Sequence, residues 1–207
     1  MSYANYYSDK TSDIDDHWFF FTQIQFEWIL KLLKVHYAPD DMFSVMDLGC
    51  GTGRLLSMIA DVFPNAKLNG VDGTPKMVKT SLNRLGNDAT ITQANLNNYV
   101  PDQSYDVVIS TTVMHHLDDP DAHLKMIGDM ANAHAFVSEF AIDTLTLKLA
   151  NIWWGLTQKS HKQAWSSKSF QTIIQNNSLT ISDKAILKPD NFWRLQIYDL
   201  RKTIKTI

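Results

Sequence analysis

Apolar and polar positions along this chain follow a rhythm that switches between two periods. Val45, Met46 and Leu48 form a short apolar run ending at a glycine-rich turn, after which Leu55, Leu56, Ile59 and Ala60 fall on one helical stripe. The exchange then repeats. Lys67–Asp72 reads as a second strand and Pro75–Leu85 as a helix with Pro75 near its N1 position. Ala89–Ala94 is a third strand, Tyr105–Ser110 a fourth, Asp119–Met130 a helix and Ala135–Phe140 a fifth strand. Strands separated by helical patterns predict a doubly wound α/β fold, with a mostly parallel sheet and helices on both faces.

Both ends of the chain depart from this rhythm. Residues 1–16 are polar and bear tyrosines; from Asp16 onward Trp18, Phe19, Phe21, Ile24, Phe26, Trp28, Ile29, Leu32 and Leu33 predict a helix with a wide apolar face. Its first turn is acidic, Lys31 and Lys34 lie near its end, as the helix dipole prefers, and Pro39 stops it. The face packs on the sheet, or its first turn closes over a ligand together with Tyr6 and Tyr7. Residues 141–164 are helical and tryptophan-rich, through Leu145, Leu147, Leu149, Ile152, Trp153, Trp154 and Leu156. A helix over Ser167–Asn176 follows, then strands near Leu179–Leu187 and Phe192–Leu200, joined as a hairpin-like pair through Lys188-Pro189-Asp190-Asn191. The expected organisation is one domain: a helix or lid over 1–40, a ligand-binding core over 41–140, a cap over 141–166 and a closing helix and strand pair over 167–207.

Composition narrows the partners. The chain has 207 residues, 44% hydrophobic and 20% charged, which suits one globular domain with a sizeable core. A formal charge of −3 gives no general basic field for nucleic acid or an anionic membrane. No apolar run reaches the ~18 residues of a membrane span, and the N-terminus lacks the blocks of a signal peptide. A single cysteine, Cys50, excludes an internal disulfide and fits a cytoplasmic location. Inside the glycine turn it reads as a packing residue.

Strand, glycine turn and helix together bring a ligand against a helix N-terminus. A triphosphate-binding loop needs Gly-Lys-Ser/Thr at its end, where this chain has Gly53-Arg54-Leu55. A dinucleotide fingerprint needs its third glycine at position 54, which Arg54 occupies; Gly53 sits one residue early. Asp72, some twenty residues on, suits any ligand with two ribose hydroxyls.

Asp47-Leu48-Gly49-Cys50-Gly51-Thr52-Gly53 resembles motif I of the class I S-adenosylmethionine-dependent methyltransferases. Gly70-Val71-Asp72-Gly73-Thr74-Pro75-Lys76-Met77-Val78 is similar to that family's second-strand segment, and Gln93-Ala94-Asn95-Leu96 stands where members place an acid or amide beside the adenine. Ser104–Ser110 through Met114-His115-His116-Leu117-Asp118-Asp119-Pro120 resembles the fourth strand and its loop. The resemblance covers roughly residues 45–140 and implies a Rossmann-like sheet of seven strands, S-adenosyl-L-methionine as cofactor and methyl transfer as activity. It implies cofactor contacts at Asp47, Gly49, Cys50, Gly51, Gly53, Asp72, Gly73, Met77, Asn95, Leu96 and Thr111. Backbone N–H groups of Gly49–Gly53 would meet the methionine carboxylate and Asp47 its ammonium, while Asp72 would accept from the ribose. Met77 and Leu96 would pack on the adenine. Asn95 replaces the commoner aspartate, and Asn132-Ala133-His134-Ala135 lacks the glycine pair often found before the fifth strand, which puts the turn there in question.

A sulfonium methyl is already activated, so the main task is to position a nucleophile in line, with a general base where the acceptor is a hydroxyl or protonated amine. His115, His116 and Glu139 are the candidate bases. Asp118–Asp121 suit a helix N-cap better than a metal, and no metal is expected. The Asn/Asp-Pro-Pro-aromatic motif of base-modifying relatives is absent, since Ser110-Thr111-Thr112-Val113 stands there. Trp153 and Trp154, with Tyr6, Tyr7 and Trp18, suggest an aromatic-walled acceptor pocket, although tryptophans also seal helix-to-sheet packing. The expectation is an enzyme, monomer or homodimer, that methylates an O or N of a small molecule without nucleic-acid or membrane partners. A binder of the same cofactor acting as a sensor, partner subunit or non-methylating enzyme is the alternative.

Overall fold

Short buried apolar runs and amphipathic helices alternate through the computed structural model as the pattern demands. It describes residues 19–157 and 162–203. The chain divides into two compact units, residues 1–99 and 100–207.

In the first unit, helix α1 (Phe19–His36) buries Phe26, Ile29, Leu30 and Leu33 on one stripe. It ends just before Pro39; Asp41 Oδ2 accepts from Ala38 N at 2.7 Å, tightening the turn. Strands β1 (Ser44–Leu48), β2 (Lys67–Asp72) and β3 (Ala89–Gln93) pair in parallel in the order β3-β2-β1. Helices α2 (Arg54–Val62) and α3 (Pro75–Leu85) connect them. Pro75 opens α3, where a missing N–H costs nothing, and Gly86 closes it with φ 55, its N–H reaching Leu82 O.

The second unit has the strand order β4-β5-β7-β6 among β4 (Tyr105–Thr111), β5 (Ala131–Phe140), β6 (Leu179–Leu187) and β7 (Leu195–Lys202). β4 and β5 are parallel, but β5–β7 and β6–β7 are antiparallel, so the strand set is mixed rather than wholly parallel. The expected strand pair is therefore present, and its second member packs directly beside β5. Helix α4 (Pro120–Met130) is capped by Asp119, which accepts from Ala122 N, as the acidic run suggested. α4 passes into β5 at Ala131 with no intervening turn, so no glycine pair is needed there and the strand starts earlier than its apolar pattern implies. Helices α5 (Leu145–Thr157) and α6 (Ser167–Asn176) follow.

β7 begins at Leu195, not at Phe192. Asp190 Oδ1 accepts from the N–H groups of Phe192 at 2.8 Å and Trp193 at 2.5 Å, which holds those residues in a turn. From Leu195 to Leu200 the strand is buried on both faces, with its polar members paired: Tyr198 Oη donates to Gln196 Oε1 at 3.0 Å, and Asp199 lies 3.0 Å from His134 Nδ1. Among the described residues no helix is long and apolar enough to cross a membrane.

Candidate active site

The glycine turn of the first unit is held mostly by its own backbone. The N–H groups of Gly49 and Cys50 both reach Val71 O, at 2.7 and 3.0 Å, and Gly53 N reaches Cys50 O at 2.9 Å. Gly51 N donates to Asp72 Oδ2 at 3.1 Å. Four of the donors that a ligand carboxylate was expected to use, those of Gly49, Cys50, Gly51 and Gly53, thus have internal partners. Left-handed φ values at Gly49 (87), Gly51 (54) and Gly53 (75) explain why the turn requires glycine. At Gly53 a further constraint applies: a Cβ there would lie 2.3 Å from Ser81 Oγ and 2.9 Å from Leu85 Cδ1. The third glycine therefore lets α3 approach the start of α2, a packing duty that its spacing from the other two did not disclose.

Two carboxylates flank the turn. Asp47 is buried, and its Oδ1 has no hydrogen-bond partner. Burial pushes its pKa up to about 7, and the nearby charge of Asp72 adds to the shift. Asp72, also buried, accepts from Thr74 N at 2.7 Å and from Gly51 N; burial raises its pKa and those two N–H groups oppose the rise. Both oxygens of Asp72 retain further lone pairs. An orphaned buried oxygen is costly unless a ligand completes it, and a cation is the partner that fits.

Cys50 is buried, and burial with the Asp47 and Asp72 charges pushes its thiol well above the ordinary range. A Cβ at Gly70 would sit 2.8 Å from Cys50 Sγ, so the glycine in β2 makes room for that side chain. Met77 is buried on α3 and Leu96 is half-buried. Asn95 is exposed, its Oδ1 accepting from Asn97 N at 3.1 Å. A Cβ at Gly73 would stand at ordinary contact, 3.5 Å from Ala94 O, so the backbone passage there tolerates a side chain.

The second unit carries the titratable cluster. β4 ends at half-buried Thr111; Thr112 then takes φ 53, a conformation strained for a β-branched residue, and donates its N–H to Ser138 O at 2.8 Å. The bend delivers a 3₁₀ turn, Met114–His116, against the end of β5. Glu139 there is buried. Its Oε1 accepts from Met114 N at 2.6 Å and His115 N at 3.3 Å, and its Oε2 lies 2.8 Å from His115 Nδ1. The residues that sequence offered as separate bases are thus one carboxylate–imidazole pair, with the His116 ring 3.9 Å from that of His115. An ionised Glu139 takes its hydrogen bond from Nδ1–H, and in that tautomer a neutral His115 ring would carry its lone pair on Nε2.

The surrounding loop is tied down by residues that sequence reading passed over. Lys162 N donates to His115 O at 2.9 Å, Lys162 Nζ pairs with Asp118, and Gln163 Nε2 reaches Leu117 O at 3.2 Å. Asp121 accepts from Asn177 Nδ2 at 2.8 Å, and His123 Nε2 lies 3.0 Å from Ser110 Oγ; each acid of the run has a structural duty. Of the expected acceptor residues, Trp154 meets Phe140 edge-on at 5.7 Å and Trp193 at a tilt at 4.9 Å between ring centres, whereas Trp153 is exposed. Trp193 was hidden because it was read as part of a strand. Tyr6, Tyr7 and Trp18 lie outside the described residues.

A glycine turn closing a parallel strand beside a carboxylate at the end of the next strand defines a nucleoside-binding α/β protein of Rossmann-like type. A family model described as a methyltransferase domain matches residues 15–183, so the chain belongs to that family, the class I S-adenosylmethionine-dependent methyltransferases. Its enzymes use S-adenosylmethionine as cofactor. Over 101 residues the chain is 29% identical to malonyl-[acyl-carrier protein] O-methyltransferase 1 of Ilyobacter polytropus, covering 48% of this chain and 38% of that protein. It is 29% identical over 87 residues to trans-aconitate 2-methyltransferase of Escherichia coli, 42% of this chain and 34% of the relative. The matches thus span well under half the length of these relatives. The fold is that of magnesium protoporphyrin IX methyltransferase from Synechocystis PCC 6803 with bound S-adenosylhomocysteine, at a TM-score of 0.71 and 22% identity over 88% of this chain and 84% of that one.

Proposed function

We propose that the protein transfers a methyl group from S-adenosylmethionine to an oxygen or nitrogen of a small-molecule acceptor. The observation that carries this is the buried, half-orphaned Asp47 beside the glycine turn, a site that a cationic amino-acid end completes. Asp47 would hold the ammonium and Asp72 the ribose hydroxyls through its remaining lone pairs. Met77 and Leu96 would contribute apolar contact to the adenine, and Asn95 a polar one after giving up its bond to Asn97. The cofactor supplies an electrophilic methyl on a sulfonium, so no metal is needed to activate it.

On the acceptor side His115 is the base and Glu139 a positioning residue. Glu139 accepts from two backbone N–H groups of the 3₁₀ turn and faces the His115 ring, so it would fix the tautomer and orientation of the imidazole rather than take the proton itself. His115 Nε2 would receive the proton of an acceptor hydroxyl or ammonium as the nucleophile attacks. The names of the curated relatives, one an O-methyltransferase acting on a carrier-bound malonyl group and one acting on trans-aconitate, support an oxygen acceptor. The test is incubation with S-adenosylmethionine and a panel of phenols, amines and carboxylic acids, read by mass spectrometry. Formation of S-adenosylhomocysteine with an equimolar methylated product is expected; cofactor binding without product from any acceptor class would identify a binding protein instead.

A further inference from the structure

We infer that Arg54, the first residue of α2, selects the cofactor by its carboxylate; this rests on the methyl-transfer reading above. The amino-acid end of S-adenosylmethionine is a zwitterion, with ammonium and carboxylate on one carbon. An ammonium held by Asp47 therefore brings its own carboxylate close to two buried acids, Asp47 and Asp72. Three carboxylates around one ammonium repel one another unless a second cation stands beside them. The backbone of the glycine turn gives little relief. Gly49, Cys50, Gly51 and Gly53 spend their N–H groups on Val71 O, Asp72 Oδ2 and Cys50 O.

Arg54 follows the turn directly, and a side chain at a helix start leans back toward the N-terminus, here toward the turn. Its guanidinium is held in place. It donates to Thr22 Oγ1 at 3.4 Å and to Gln23 Oε1, both on α1, and its central carbon lies 6.0 Å from the ring centre of buried Phe26. Those anchors are two neutral oxygens and a ring face, so they orient the fork without cancelling its charge. Arg54 is half-buried, where water and salt screen a charge less than at an exposed site. Arg84 is the rival. It donates to Thr52 Oγ1 at 3.0 Å, but it is exposed and reaches the turn from α3. On that side Gly53 packs so closely on Ser81 and Leu85 that a single added carbon would collide with both. A planar, two-pronged guanidinium also matches a carboxylate better than a lysine ammonium does.

The test is isothermal titration of the full chain at pH 7 with three ligands: S-adenosylhomocysteine, its decarboxylated analogue, which keeps the ammonium, and methylthioadenosine, which lacks both groups. The unaltered chain should bind S-adenosylhomocysteine about ten- to hundredfold more tightly than the decarboxylated analogue, the range of a charge-assisted pair. Arg54→Gln should abolish that preference by weakening S-adenosylhomocysteine alone, with the other two affinities held within about twofold. Arg54→Lys keeps the charge but loses the fork, so it should leave an intermediate preference, and it carries the test if the glutamine variant does not fold. Arg84→Gln should keep the whole preference. An Arg54→Gln variant that retains the preference overturns the inference, as does one that weakens all three ligands alike, since Arg54 is then only a tie to α1. Loss of the preference in Arg84→Gln overturns it too. Equal binding of S-adenosylhomocysteine and its decarboxylated analogue by the unaltered chain sinks this inference alone, whereas failure of all three ligands to bind sinks the methyl-transfer reading on which it rests.

Discussion

Asp47 should make cofactor binding depend steeply on pH in a range where exposed carboxylates do not titrate. In the empty site burial raises its pKa to about 7, with Asp72 adding to the rise, so at pH 7 about half the molecules hold a neutral Asp47 and at pH 5 nearly all do. An ammonium prefers the ionised form. The apparent Kd for S-adenosylhomocysteine therefore scales with one over the ionised fraction, which gives about fiftyfold weaker binding at pH 5 than at pH 7. The ligand ammonium stays protonated across this range, so the slope belongs to the protein. Isothermal titration at pH 5, 6 and 7, repeated in buffers of different ionisation enthalpy, should also show proton release on binding, greatest near pH 5. Asp47→Asn should give a flat profile and bind about ten- to hundredfold more weakly at pH 7, the usual range for a lost charge-assisted hydrogen bond. The sign is fixed for stability as well. A folded-state pKa raised above the unfolded value means that the empty protein holds a proton which unfolding releases, so its stability falls as pH rises from about 4 to about 7. A pH-independent Kd, or an asparagine variant that binds as well as the parent, would refute this role for Asp47.

Other sites give independent checks. Gly53→Ala should lower stability by about 2 kcal/mol or more, since it adds left-handed strain to a collision with Ser81 Oγ, and a thermal melt of Gly53→Ala with Ser81→Gly should recover part of the loss. Glu139→Gln presents an amide N–H to His115 Nδ1 and so favours the wrong tautomer; turnover should drop by about 10²- to 10⁴-fold with little change in KM, and unchanged kcat would leave His115 without a role as base. Cys50 should resist a disulfide-exchange reagent in the folded protein and react only at the rate of unfolding, as followed with and without denaturant; rapid labelling of the native chain would contradict its burial.

Much of this architecture was legible because the local signals were unambiguous. Pro75 at a helix start, Asp119 before Pro120, and apolar runs of strand length fixed α3, α4 and most strand bounds to within a residue or two. Where the reading slipped, the deciding contact was made by a side chain on its own loop or by a distant element. Phe192 and Trp193 have strand-like character, yet Asp190 captures their N–H groups. The sequence around Ala131 offers no strand signal, because pairing with β4 recruits residues that are only intermittently apolar. In the candidate site, residue types were visible but not partnerships. His115, His116 and Glu139 could be named, but twenty-four positions separate His115 from Glu139, and only the parallel pairing of β4 with β5 closes that gap. The opposite happened at the glycine turn. The motif suggested free N–H donors, while most of them are consumed by Val71 O, Cys50 O and Asp72.

The most direct test of the account is a side-by-side titration of the purified chain with S-adenosylhomocysteine and NADH at pH 7. Saturable binding of S-adenosylhomocysteine at micromolar concentration, weakened about ten- to hundredfold in Asp47→Asn and without measurable NADH binding, is the predicted result. Binding of NADH, or no binding of S-adenosylhomocysteine below millimolar concentration, would contradict it.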